Sequence, residues 1–207
     1  MFIFLFSYIC RRLTMSCLGS PIQPSIEDID FEFKNAIVKI IIDRGLPEIK
    51  IMGKRVGPLE EGMEVEVEQW VALELVRAGF AHFHRSETID LASLRKIQWK
   101  ETIQPGRQLS SIPESFYPKM RRYISELRGK SARDPSYVNK FNKALRLAQD
   151  IVNCRLRKIV GLAASPGQVS IALQSLSREE RVLYDSLHTI ISEWRSKILK
   201  AGFSSDQ

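Results

Sequence analysis

Residues 53–79 read GKRVGPLEEGMEVEVEQWVALELVRAG, which packs two turns, a half-buried strand and a short helix into 27 residues. Gly57-Pro58 is a turn signal, because glycine admits positive φ and proline fixes φ at about −65°. Glu60-Glu61-Gly62 makes a second turn. Residues 63–68 then alternate: Met63, Val65 and Val67 on one side, Glu64, Glu66 and Glu68 on the other. That period of two is a strand with one wet face and one face in a core. From Trp70 the period becomes helical. Val71, Leu75 and Ala78 share a face, Trp70, Leu73 and Val76 fill in around it, and Gly79 can close the helix in left-handed geometry. Nothing in the stretch has the residue set of a catalytic site.

Upstream of this stretch, residues 36–42 (AIVKIII) form a β-branched run and read as a central strand. Residues 49–52 read as a second short strand, and residues 79–84 return to the sheet after the Trp70 helix. Residues 26–99 therefore form a small β-rich domain. Residues 100–112 (KETIQPGRQLSSI) have little periodicity and read as a linker. Residues 113–201 read as an all-helical domain, and 202–207 as a tail. Phe116, Met120, Tyr123 and Leu127 make one stripe, widened by Tyr117 and Ile124. Asp134-Pro135 opens a long helix whose seam runs through Tyr137, Phe141, Leu145, Ala148, Val152, Leu156 and Ile159, about 40 Å in length. Ser177 and Glu180 make a capping box for a last amphipathic helix carrying Leu183, Leu187, Ile190, Ile191, Trp194 and Ile198. The fold class is α+β, with the β-rich domain first.

The ordered set of these features resembles subunits of the GINS complex. In the branch where the β-domain precedes the helical one (the Psf-two and Psf-three branch), the β-domain shows a Gly-Pro turn, a Gly-bearing polar turn, a Val/Glu strand and a Trp-centred helix. Here these are Gly57, Pro58, Gly62, Val65, Val67 and Trp70, while the proline usual two residues before the Trp is replaced by Glu68. The helical half matches in its Pro-rich entry (112–117), in Arg155-Leu156-Arg157-Lys158-Ile159 followed by small residues, and in Ser177 to Tyr184. The resemblance covers roughly residues 36–200, and the plan without long loops looks archaeal. It implies a non-enzymatic replication scaffold in the cytoplasm, at the nucleoid and replication fork, needing no cofactor. It also implies a two-plus-two tetramer with a sister subunit of opposite domain order. That assembly would bridge the MCM helicase and a RecJ-like, Cdc-forty-five-related protein, as in a CMG-type complex. The β-domain, tethered by 100–112, would be free to dock elsewhere.

Charge and composition bound the remaining possibilities. The chain has 207 residues, 44% hydrophobic and 27% charged, which suits one large or two small folded domains. Residues 1–100 carry 13 Lys/Arg against 14 Asp/Glu, whereas residues 101–207 carry 18 against 10. The basic half suggests an acidic partner or DNA. Lys119, Arg121, Arg122, Arg155, Arg157 and Lys158 are its candidate contacts, weak and salt-sensitive, and a solvated helical face is the plainer reading of them. A stand-alone DNA-binding protein is the alternative function.

Three helices in one short domain have little interior to share. An apolar stripe should remain for a partner, drawn from Phe116, Tyr117, Tyr123, Leu127, Phe141, Leu145, Val152, Leu156, Leu183, Tyr184, Leu187 and Trp194. No CxxC set accompanies Cys10, Cys17 and Cys154, so neither a zinc site nor a disulfide framework is indicated. His82 and His84 share a strand face but lack a third ligand of defined spacing, and read as partly exposed strand residues. No Gly-rich phosphate loop follows a strand. Residues 1–25 are apolar up to Cys10, too short to span a bilayer, and read as disordered or as a start placed upstream of Met15.

Overall fold

The computed structural model describes residues 24–51, 53–106, 108–165 and 170–200. The expectations for the first residues, including Cys10, Cys17 and Met15, and for the tail 202–207 lie outside these. The fold is α+β, a small β region followed by a helical region.

Helix α1 (Ile26–Asn35) opens the described chain. It was not expected from periodicity, yet its start is written in Ser25-x-x-Asp28. The Ser25 hydroxyl accepts from the Asp28 amide at 3.2 Å, and the Asp28 carboxylate accepts from the Ser25 amide at 2.8 Å. The central strand β1 (Ile37–Ile42) follows, then β2 (Ile49–Ile51) and β3 (Lys54–Val56), which pair as a separate hairpin. Strand β4 (Glu64–Glu68) and strand β5 (Ala81–Phe83) flank β1, both antiparallel, in the order β4-β1-β5. Register places Val38 opposite Val67 and Ile40 opposite both Val65 and Phe83. Residues opposite each other in a sheet point the same way, so one face gathers the branched side chains and the other gathers Lys39, Glu64 and Glu66.

Helix α2 (Gln69–Arg77) lies on the inner face and supplies Val71, Ala72 and Leu75 to its core. Burying an Ile40-sized side chain contributes about 1.5–3 kcal/mol. Trp70 packs against this core partly buried, and Gly79 ends the helix at φ +76°. The turn residues of the sequence motif earn their identity. Gly62 sits at φ +82° and Gly57 at φ +107°, where a Cβ would also lie 3.1 Å from the Pro47 carbonyl oxygen. Met63 differs from expectation. It lies before β4 and is exposed.

Helix α3 (Leu91–Ile103) starts after Asp90, whose carboxylate accepts from the Ser93 amide at 2.8 Å. It then crosses the stretch expected to begin a linker. Leu94 and Ile97 pack into one core with Phe116, Met120 and Leu127 of α4 (Phe116–Ser131) and Ala144, Ala148 and Ile151 of α5 (Val138–Ala163). Leu109 and Ser110 are buried as well. Glu101, Leu109 and Ser110, from the stretch expected to be a linker, are thus pinned to the helices rather than loose. Between α4 and α5, the Asp134 carboxylate caps a 3-10 turn, Pro135–Tyr137. Helix α6 (Ser170–Gln174) turns the chain back, and α7 (Arg178–Lys200) then runs in the same direction as α5. Arg155 meets Glu180 at the start of α7, and Arg195 donates to the Ala164 carbonyl at 2.6 Å further along.

Candidate protein interface

The long helix α5 has two lipophilic stripes, and they have different fates. Ala144, Ala148, Ile151, Ile159 and Leu162 face the protein's own cores. Val152, Leu156 and Val160, spaced by four, are about two-fifths exposed, at 38%, 41% and 42%. On α7 the exposed set is Leu183, Ile190, Trp194, Ile198 and Leu199, with Trp194 61% exposed. Between the two helices, Val152, Leu156 and Leu183 join Ile26, Tyr117 and Met120 around an almost wholly apolar groove of about 400 Å³.

The interface candidates from sequence therefore divide. Val152, Leu156, Leu183 and Trp194 are open to a partner. Phe116, Leu127 and Tyr184 are buried inside the chain, at 1%, 3% and 7%, and cannot touch one. Tyr117, Tyr123, Phe141 and Leu187 are half-buried at the edges of the cores, and Leu145 is half-buried on α5. The correction has a simple cause. One helical stripe broader than about 100° can serve two neighbours, and periodicity does not say which edge is taken inside. Val160 and Leu199 were missed, although Val160 completes the i, i+4, i+8 row of Val152 and Leu156. Trp99 and Ile103, 62% and 56% exposed on α3, were missed because the one was assigned to the end of the β-rich domain and the other to the linker.

The helices that carry this face are held in register by a buried ionic knot. Arg155, fully buried, donates Nε and Nη2 to Glu180 at 2.5 and 2.7 Å, and Nη1 to the Glu101 carboxylate. It also donates to the carbonyls of Ser110 at 2.8 Å and Ser175 at 3.1 Å. Lys158 gives its ammonium to Glu101 Oε2 and to the Glu101 carbonyl, both at 2.8 Å. The Ser110 amide donates to Glu101 at 2.8 Å, and the Tyr117 hydroxyl to Glu180 at 2.5 Å. Glu180 has a second duty as the N3 residue of the Ser177 capping box, accepting from the Ser177 amide at 2.9 Å. Four helices, α3, α4, α5 and α7, thus meet at two carboxylates and two cations.

The protonation states follow. Burial works to raise the Glu101 carboxyl, but Lys158, Ser110 and Arg155 outweigh it and hold it below the ordinary carboxylate value. Burial and then the Glu180 carboxylate push the Tyr117 phenol well above its ordinary value, so it stays a donor. Burial would lower the Arg155 guanidinium, yet Glu180 and Glu101 raise it. A carboxyl with a depressed native pKa contributes stability that is whole above its unfolded value, 4.5 for Glu101, and lost as pH falls below it through the native value. The melting temperature of the chain should therefore fall on acidification below about pH 4.5. In Glu101→Gln that acid-linked fall should be shallower in a pH series of melts, and an unchanged slope would show that Glu101 carries none of it.

The basic candidates are corrected by the same geometry. Arg155 and Lys158 are inside the knot and unavailable to DNA. Lys119 pairs with Glu87 at 2.9 Å, Arg121 pairs with Asp30, and Arg122 stacks 3.9 Å over the Phe83 ring and donates to the Glu87 carbonyl. These three join the helical region to α1 and to the end of the sheet. Of the six, Arg157 alone is exposed without an ion pair among the described residues. Sequence could not separate these fates, because a cation facing a carboxylate and one facing water occupy the same helical spacing.

His82 lies 2.7 Å from the Asp43 carboxylate and His84 caps a 3-10 turn through the Ser86 amide. No group of three or more His, Cys, Asp or Glu converges among the described residues. No described helix is long and apolar enough to cross a membrane.

The helices that build this face are those matched by a family model. The model of the GINS complex protein helical bundle domain matches residues 88–199, from just before α3 to the end of α7. No curated protein matches the chain.

Proposed function

The chain belongs to the GINS complex protein family, and from that premise we propose that it is a non-catalytic scaffold subunit whose exposed α5–α7 face is its contact with other subunits of the complex. The family works in DNA replication through complex formation, so a partnerless subunit must carry surface meant for its neighbours. One observation carries the reading: Val152, Leu156, Val160 and Trp194 are solvent-exposed on the very helices that the family model covers. Monomeric proteins rarely leave a large apolar patch uncovered, and obligate interfaces resemble a core cut in half.

The finer proposal is a two-plus-two tetramer of this chain, in the archaeal β-domain-first branch, with a sister subunit of opposite domain order. That tetramer would hold the MCM helicase beside a RecJ-like, Cdc-forty-five-related protein. The burial of Arg155 and Lys158 and the internal pairing of Lys119, Arg121 and Arg122 count against the chain as a stand-alone DNA-binding protein. Co-expression with the sister subunit, followed by light scattering after gel filtration at high salt, tests the assembly. A two-plus-two mass is expected. A monomer of this chain that binds DNA at low salt would overturn the proposal.

A further inference from the structure

A cleft of about 760 Å³ opens where α1, α2 and α4 meet, and it shares only Arg121 with the apolar groove between α5 and α7. Its properties do not depend on the subunit proposal. Its wall holds two polar groups with unmet needs. Gln69 is 1% exposed, and neither its amide nitrogen nor its amide oxygen has a hydrogen-bond partner. Arg122 Nη1 is also buried without a partner. An unpaired buried amide costs about 1–3 kcal/mol. Such groups in a native protein call for an explanation, and an absent ligand is one.

The charge of the cleft points the same way. Lys34, Arg77, Arg121, Arg122 and Lys130 line it against two carboxylates, Asp30 and Glu126. Asp30 is occupied by Arg121, and Arg77 by Glu74. Lys34 and Lys130 are exposed and make no ion pair among the described residues. Arg122 rests on a ring and a carbonyl rather than a carboxylate, and burial, offset in part by Glu126 and Glu87, holds its guanidinium below the ordinary value. A half-buried cation that no carboxylate pairs with directly is a standing place for an anion. Between these groups Phe33, Leu73 and Val76 supply an apolar surface.

We propose that this cleft binds an extended acidic peptide segment of a partner protein, with acidic and apolar side chains in alternation. A primary amide offers one donor and one acceptor on the same side, the complement of the N–H and C=O of one residue in an extended chain. Gln69 donates to the carbonyl of that residue and accepts from its N–H. Arg122 Nη1 and Lys130 take carboxylates, and an apolar side chain of the segment rests on Leu73 and Val76. Both Gln69 amide atoms are covered in the free chain, so engagement needs a rotamer change toward the cleft. A nucleic-acid strand fits less well. Asp30 and Glu126 stand on the wall, and Phe33 is the one aromatic ring of the cleft, whereas sequence-tolerant strand binding uses several stacking platforms.

The test uses the full chain and a fluorescein-labelled octapeptide of alternating Glu and Leu, read by anisotropy. A Lys-Leu octapeptide and a labelled oligothymidylate serve as comparators. The Glu-Leu peptide should bind saturably and more weakly as salt rises. Gln69→Leu should weaken it by about tenfold while raising the melting temperature, because two unpaired polar atoms leave the interior. Lys130→Glu and Lys34→Glu, both at exposed positions, should weaken binding and flatten its salt dependence, and they keep the test standing if Gln69→Leu fails to fold. The proposal is overturned by an absence of saturable binding or by equal binding of the Lys-Leu peptide. It is also overturned if oligothymidylate displaces the Glu-Leu peptide, or if Gln69→Leu lowers the melting temperature and leaves the affinity unchanged.

Discussion

Arg155→Met is expected to destabilise the chain by about 3–5 kcal/mol, the largest effect of any single surface-like substitution in the helical region. On a helical wheel Arg155 looks like one of a run of cations, with Arg157 and Lys158, and a solvated arginine can usually be replaced within about 0.5 kcal/mol. Here its guanidinium is wholly buried and bonded to Glu101, Glu180, Ser110 and Ser175. Removing it leaves two carboxylates in the interior, one of them with only Tyr117 and its own capping box for company. The loss comes from that uncompensated charge rather than from the attraction of the pair, whose Coulombic gain is largely offset by desolvation. A second variant separates the two contributions. In Arg155→Met with Glu180→Gln, one of the stranded charges is removed, so part of the lost stability should return. Urea denaturation of the wild type and both variants reads this directly. A loss below about 1 kcal/mol in Arg155→Met would show that the knot does not hold the helices.

How far the sequence could be read is set by what each signal measures. The alternation of residues 63–68 and the helix after Trp70 were legible because strand and helix periods are local, and the structure puts Val65 and Val67 inward and Val71 and Leu75 beneath the sheet. The capping box at Ser177 was legible for the same reason. Helix α1 was legible in principle from Ser25-x-x-Asp28, but its two-sided composition, with Phe31 68% exposed, hid the stripe. What could not be read was long-range. Whether Lys158 faces water or Glu101 depends on a residue 57 positions away. Whether residues 100–112 hang free depends on Glu101 and Ser110 meeting Arg155 of another helix. The candidate interface was half legible on the same grounds. Periodicity found the stripes on α4, α5 and α7, but only packing decides which residues remain outside.

That last distinction makes a sharp pair of substitutions. Trp194→Glu should weaken assembly with the sister subunit by at least about 30-fold, the effect of losing some 2 kcal/mol at a central tryptophan. It should leave the melting temperature of the isolated chain unchanged, because the indole is 61% exposed and gives little to the fold. Leu127 belongs to the same class of apolar helical residue, and periodicity nominated it equally. It is 3% exposed, so Leu127→Glu should unfold the helical region before any question of assembly arises. Leu156→Glu should side with Trp194→Glu, since Leu156 is 41% exposed and lies on the groove between α5 and α7. Gel filtration of co-expressed pairs, beside thermal melts of each isolated variant, sorts the three. If Trp194→Glu and Leu156→Glu both assemble as the wild type does, the α5–α7 face is not the subunit contact. If either one melts like Leu127→Glu, the face belongs to the fold of this chain rather than to a partner. Loss of assembly with an intact melt in both is the pattern that only an interface produces, because only there does a charge cost nothing until the partner arrives.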